Sequence, residues 1–383
     1  MDFLHPNPTS RMDQCPPEIW IRIFSLACTD DGTTGRSLSL VSGAFNTLSK
    51  PFKYQSIALT RSKRVLSFNA QLDRLPSDDR RVKYLFVHCP HVFLDNDDDG
   101  DDDYEGSSSS GSGSTGSYDD SAYQSDYQAS SPRLLSELND LATEAHEARQ
   151  NREDEDFDMA DSTSSVAFRE QLSQADDIVS KSLFDLLQKI SPTLELLSLY
   201  YVSCQGRLIE EMIPPLPHLR ELCLFRRFSD ELAIEPETED RASMLFPVLE
   251  RLHLSGYLEE RPTRIGETVA DLAPSLRVLR IPKHSYNPIH LPPQPIRFGP
   301  LIEVVILEPP PINSQFPNES FLPTNITQES LSMTADDPMG LADPRVRVVM
   351  MHPSPHEDRY HPEVWKRDWL RRVEGGEGCW TVA

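Results

Sequence analysis

The sequence predicts an α/β protein: a small three-helix unit at the N-terminus, then a curved array of stacked strand-and-helix units, with a long disordered acidic segment spliced into the first of them. Three observations lead there. A short helix near the N-terminus carries two apolar stripes, one leucine-rich motif recurs five times at nearly even spacing, and most of the net charge is confined to one stretch. The corresponding boundaries are a disordered residues 1–14, the helical unit at 15–54, a linker helix and first strand at 55–94, the acidic insertion at 95–177 and the repeat region at 178–383 with a C-terminal capping helix.

The N-terminal unit reads CPPEIWIRIFSLACTDDGTTGRSLSLVSGAFNTLSKPFKY over residues 15–54. Its prolines suit a helix start. Ile19, Ile23 and Leu26 then form one stripe, and Trp20, Phe24 and Ala27 a second, which leaves water only the sector around Glu18, Arg22 and Ser25. Shorter helices are expected around Leu38–Ser42 and Ala44–Ser49, after a turn at Asp30–Gly35. A unit this small rarely holds a sufficient core by itself. One stripe closes a three-helix core; the other needs a cover, either a separate partner or the chain's own C-terminal region.

Pro16-Pro17-Glu18-Ile19-Trp20-Ile21-Arg22-Ile23-Phe24, followed by Leu38-Ser39-Leu40-Val41-Ser42 and Phe45, resembles the F-box, and with Lys50-Pro-Phe-Lys-Tyr-Gln-Ser-Ile-Ala-Leu-Thr60 after it is similar to basidiomycete-type fungal F-box proteins. The pattern is L-P-x-E-[IL], then I-F, then L-S-L-V-C and an aromatic; Cys15 stands where the family usually has Leu, and the first turn is longer than in many members. The resemblance implies binding to a Skp-family adaptor and, through it, a cullin. Carried over by position, Pro16, Glu18, Ile19, Ile23, Phe24, Leu38, Leu40 and Val41 are the residues that face or support the adaptor. Which of them face it and which face the helical interior stays open.

Downstream, Leu194-x-x-Leu197-x-Leu199 recurs from Leu219, Leu249, Leu276 and Ile302, at separations of 25, 30, 27 and 26 residues, each copy with a proline two residues before it. That period is the one expected for leucine-rich repeats, in which each strand-bearing unit buries its apolar face only against its neighbours. The intervening stretches Leu208–Ile213 and Ile265–Leu272 are amphipathic. The Asn or Cys that follows each strand in regular repeats is replaced by Val202, Arg227, Tyr257 and His284, so the expected shape is an irregular leucine-rich-repeat-like solenoid. A weaker copy, Val82-x-x-Leu85-x-Val87, starts 112 residues before Leu194, and removing the 83-residue acidic stretch leaves 29, one ordinary repeat. Likewise Val346-x-x-Val349-x-Met351 starts 44 after Ile302, with the Pro-rich run 309–337 supplying a second loop. Pro362–Val373 reads as a helix carrying Trp365, Trp369 and Leu370, expected to close the open end of the array.

Residues 95–177 hold 24 Asp and Glu against four Arg and no Lys, a net of -20 out of the chain's -24. The rest is near neutral and offers no broad attraction for nucleic acid or an anionic membrane. The acidic stretch has too little apolar surface to offset chain entropy. Within it, Gly111-Ser-Gly-Ser-Thr-Gly116 matches a dinucleotide fingerprint but lacks the strand and helix that such a loop joins. Asp95-x-Asp97-x-Asp99-Gly100 opens like a calcium loop but has Gly106 where the bidentate Glu belongs. Ser117-x-x-Asp120 is an acidic-directed phosphorylation pattern, and Leu134, Leu138, Leu141, Ala145 and Ala148 make a helical stripe.

Cys15, Cys28, Cys89, Cys204, Cys223 and Cys379 are widely separated, without metal-ligand spacing, so no metal and no cofactor is expected. No motif around the eleven histidines suggests catalysis. Neither a signal-peptide pattern nor a membrane-spanning run is found, which points to a cytoplasmic or nuclear protein and makes the sequons at Asn318 and Asn325 chance matches. Two functions follow as expectations. The first is a non-catalytic substrate receptor of a Skp-cullin-F-box ubiquitin ligase that binds the adaptor at its N-terminus and an unknown protein substrate on the repeats. The second is an interaction scaffold built on the repeats that does not direct ubiquitin transfer.

Overall fold

The computed structural model describes residues 15–89, 136, 162–201, 212–226, 245–255, 269, 271–282, 299–308, 345–351 and 361–380. The first 14 residues, positions 95–135 and 137–161 of the acidic insertion with its glycine-rich and calcium-like motifs and the Leu134 stripe, the run 309–337 and positions 202, 227, 257 and 284 lie outside the described residues.

The described residues form six α-helices and one eight-stranded parallel sheet. In chain order these are α1 (Pro17–Ala27), α2 (Thr33–Val41), α3 (Gly43–Ser49), β1 (Ser56–Leu59), α4 (Ser62–Arg74), β2 (Tyr84–Cys89), α5 (Ser162–Ile190), β3 (Leu196–Tyr201) and β4 (Glu221–Arg226). There follow β5 (Arg251–Ser255), β6 (Val278–Pro282), β7 (Val304–Glu308), β8 (Arg347–Met350) and α6 (Pro362–Val373), with a 3₁₀ turn at Gly378–Trp380. Among the described residues no helix is long and apolar enough to cross a membrane.

Every strand pairs with its predecessor in the chain, and the motif leucines stand in register: Leu85, Leu197, Leu222, Leu252, Leu279 and Val305 form one continuous row. Side chains alternate across a strand, so this row and the next one, Val87, Leu199, Leu224 and Leu254, share a face. That face is covered by Val65, Phe68 and Leu72 of α4 and by Ala175, Val179, Leu183, Leu186 and Ile190 of α5, all buried in one apolar core. Truncating any one of these leucines is expected to cost about 2–5 kcal/mol.

At the entry to each of β2 to β7, two successive N–H groups converge on the carbonyl just before the previous strand; Glu195 and Leu196 both donate to Lys83 O, and Arg220 and Glu221 both donate to Glu195 O. The residues at this corner alternate in charge along the sheet, Lys83, Glu195, Arg220, Glu250, Arg277 and Glu303, with ion pairs at 2.9 Å (Lys83–Glu195), 3.9 Å (Arg220–Glu250) and 3.7 Å (Arg277–Glu303). Each pair is exposed and therefore weak, but exchanging neighbouring strands would set like charges side by side.

The structure departs from the sequence reading at five places. The sheet starts one strand earlier, at β1, because Tyr54-x-x-Ile57-x-Leu59 is a further copy of the motif, with Ile57 beside Leu85 and Leu59 beside Val87. At β8 the pairing is displaced by one residue: Val348 and Met350, not Val349 and Met351, stand beside Val305 and Leu307. Arg345 and Arg347 alternate with Val346 and Val348, and it is these two valines that lie against the core. A one-residue slip exchanges the two faces.

The other three concern helices. The expected turn Asp30–Gly35 is shorter, since α2 begins at Thr33, where the Asp30 carboxylate accepts from Gly32 N at 3.0 Å and Thr34 N at 2.8 Å. Gly32 sits at φ 95°, and a side chain on Gly35 would strike the Lys53 backbone. The boundary at residue 177 falls inside α5, with Ala175 and Asp176 both buried. Finally, α6 has the expected limits but lies across the second face of the sheet, against β2 and β3, and not over its open end. Trp365, Trp369 and Val373 form a stripe with a four-residue spacing, and it beds on Phe86, Leu196 and Cys223.

Candidate functional site

Pro16 and the first turn of α1 set up the N-terminal surface. Pro16 in extended geometry accepts Ile19 N at 3.0 Å, which starts α1 and places Glu18, an exposed carboxylate, in its first turn, where the helix dipole favours it. The stripe of Trp20 and Phe24 turns inward: ring centroids lie 5.7 Å apart, and Phe45 of α3 completes the triangle at 5.0 Å from Trp20 and 5.2 Å from Phe24. Ser42 caps α3 by accepting Phe45 N at 3.2 Å, which fixes that ring.

With that stripe used inside, the other faces solvent. Ile19 is 48% exposed, Ile23 44% and Leu26 68%, and on α2 Leu40 is 84% and Val41 63% exposed, whereas Phe24 is 1% exposed. Of the eight residues carried over from the resemblance, Pro16, Glu18, Ile19, Ile23, Leu40 and Val41 are therefore at the surface, Phe24 is interior and Leu38 is half-buried. Leu26 and Ile21 are exposed too and were not among the eight. Leu26 was legible as the third member of the Ile19 stripe. Among the described residues, the C-terminal region does not cover this surface.

The helical unit is nevertheless fastened to the sheet. Gln55 Nε2 donates to Ser25 O at 3.0 Å, Ala58 N to Asp31 O at 3.3 Å, and Lys366 of α6 pairs with the Asp31 carboxylate at 3.3 Å. Burial pushes the Asp31 carboxyl up, but Thr33 and Lys366 outweigh it and hold it below the ordinary value. Burial and the nearby Asp30 push the Cys28 thiol up to about 11, so it stays neutral.

The second surface is the sheet face under α6. Phe86, Ser198, Cys223, His253, Arg280 and Ile306 stand in one row there. These are the variable positions between the motif leucines of the repeats, and Cys223 and His253 lie beneath aromatic rings. Phe225 stacks on Tyr200 at 4.0 Å, Trp365 meets both edge-on, and His253 stacks on Trp365 at 4.9 Å. Burial, with His361 nearby, holds the His88 imidazole down at about 4. Glu221 accepts Arg372 through Nε at 2.7 and 2.9 Å, through Nη2, and also accepts Trp380 Nε1 at 3.1 Å.

Beside this carboxylate is a cavity of about 250 Å³ whose walls include Cys223, His253, Arg280 and Cys379. The two sulfurs are 3.5 Å apart. The Cys223 thiol, aided by His253 and Arg280 against the effect of burial, holds Cys379 down at about 6, and Cys223 rises correspondingly as the partner that keeps its proton. Sequence reasoning passed over this cluster because its members come from β4, β5 and the turn after α6, with no local spacing to reveal them. No known protein-family model matches the chain, and no curated protein matches its sequence.

Proposed function

We propose that the chain is the substrate receptor of a Skp-cullin-F-box ubiquitin ligase, with α1 and α2 docking on the Skp-family adaptor. The observation that carries this reading is the exposed apolar set Ile19, Ile23, Leu40 and Val41 on the same two helices whose sequence resembles the F-box. Exposed isoleucines at this density on a short helix are surplus to the helical core, and a protein partner that buries them would gain roughly 25 cal/mol per Å². Phe24 supports the surface from inside. Leu26 belongs to the docking surface by the same exposure.

In this reading the chain supplies no catalytic group; the recruited conjugating enzyme transfers ubiquitin. The parallel sheet, read as a leucine-rich-repeat-like solenoid, is the rigid spacer that holds a protein substrate at a fixed distance from the adaptor. Since α6 covers part of the inner face, the substrate surface comprises α6 and the strand ends more than the strand centres. The test is co-purification of the full chain with adaptor and cullin. Recovery of both supports the receptor; adaptor without cullin identifies a scaffold, and neither partner overturns the reading.

A further inference from the structure

We propose that Cys223, His253 and Cys379 form a site for one zinc ion, which ties the C-terminal segment to the face of the sheet. One ligand-type atom from each residue lies within 4.8 Å of the other two. Around a tetrahedral zinc, with bonds of about 2.3 Å to sulfur and about 2.0 Å to nitrogen, ligand atoms stand roughly 3.5–3.8 Å apart. The 3.5 Å between the sulfurs is near that spacing already.

The ligands are held by independent elements. Cys223 and His253 are directly paired positions of adjacent strands, so their relative placement is fixed by the sheet. Cys379 is brought to them by the 3₁₀ turn after α6, which Arg372 and Trp380 fasten to Glu221. His253 is further oriented by Trp365 and Trp380, whose rings lie 4.9 and 6.1 Å from it. Two thiolates and one imidazole suit a borderline-soft d¹⁰ cation and not calcium or magnesium. The adjoining cavity of about 250 Å³ has room for a water as fourth ligand.

Charge is also compatible. Two thiolates cancel the charge of Zn²⁺, their protons passing to solvent on binding, so the buried Arg280 guanidinium meets no added net charge. Glu221 is held by Arg372 and Trp380 and is not a ligand. A competing fate for the same sulfurs is a disulfide, which needs them at about 2.05 Å and an added oxidant.

The experiment is metal analysis of the full chain purified under reducing conditions, followed by replacement with Co²⁺. One zinc per chain, near-ultraviolet thiolate-to-cobalt bands, and loss of both in Cys223→Ser with Cys379→Ser support the site. Chelation should then raise amide exchange across residues 362–380 while the rest of the sheet stays protected. If the serine variants fail to fold, thiol titration of the wild-type chain decides: two thiols that become reactive as zinc is released support the site. Folded wild-type chain that takes up neither zinc nor cobalt, metal retained by the double variant, or a Cys223–Cys379 disulfide in the reduced preparation overturns it.

Discussion

Arg372 of α6 grips Glu221 at the start of β4 through Nε and Nη2, one edge of its guanidinium, so a residue near the end of the chain is locked to the middle of the sheet. Glu221 is buried and Arg372 about a quarter exposed, and Trp380 takes up a further lone pair of the same carboxylate. Removing one partner strands the other. Arg372→Met is expected to destabilise the fold by about 3 kcal/mol, near the lower end for buried pairs, and Glu221→Gln by a comparable amount. Urea denaturation checks both values, and amide exchange confined to 362–380 checks that the loss is local.

For the helical unit, exposure separates binding from folding. Ile19→Ala with Ile23→Ala should abolish adaptor recovery while leaving the thermal transition within about 0.5 kcal/mol of wild type, as surface substitutions usually do. Phe24→Ala, in contrast, empties the aromatic triangle and should cost about 3–5 kcal/mol. Adaptor recovery that survives the isoleucine changes would remove the basis of the proposed function.

The long helix α5 makes two deletions distinguishable. Removing 96–164 spares Ala175 and Asp176 and should leave a cooperative unfolding transition, because closure cost varies by only about 0.6 kcal/mol per doubling of loop length. Removing 95–177 also takes Asp176, which accepts the buried Tyr201 hydroxyl at 2.5 Å, and should lower the midpoint. Paired thermal melts measure the difference.

His88 supplies a pH dependence. Its ordinary value of 6.5 applies when unfolded and about 4 when folded, so between those limits the unfolded chain binds the extra proton. Stability attributable to this group is therefore complete above about 6.5, declines as pH falls towards 4, and is constant below that. His88→Gln should flatten the slope of denaturation midpoint against pH within this window, and an unchanged slope would overturn the assignment to His88, since Asp31, held below its ordinary 3.8, loses its contribution only at lower pH.

At the corner row, Glu250→Lys places a third cation between Arg220 and Arg277. All three positions are exposed, and a loss of only about 0.5–1 kcal/mol is expected, diminishing as salt is raised. A salt-independent loss would mean that Glu250 acts through packing.

How much was legible follows from how local each signal is. The leucine rows, α1 and the limits of α6 were written in short-range periodicity, because a parallel strand and an amphipathic helix each declare themselves within a few residues. Tyr54-x-x-Ile57-x-Leu59 carried the same signal for β1 and was passed over as a linker. The start of α2 was hidden by turn-like residues that serve instead as a cap. Two apolar stripes on α1 were evident, but which one turned inward depended on where Phe45 would lie. Only the tertiary structure decided that, as it decided that α6 lies on the sheet face and that Cys223, His253 and Cys379 meet. Such arrangements depend on contacts between residues from 21 (Phe24–Phe45) to 283 (Phe86–Trp369) positions apart, beyond the few residues over which periodicity is read.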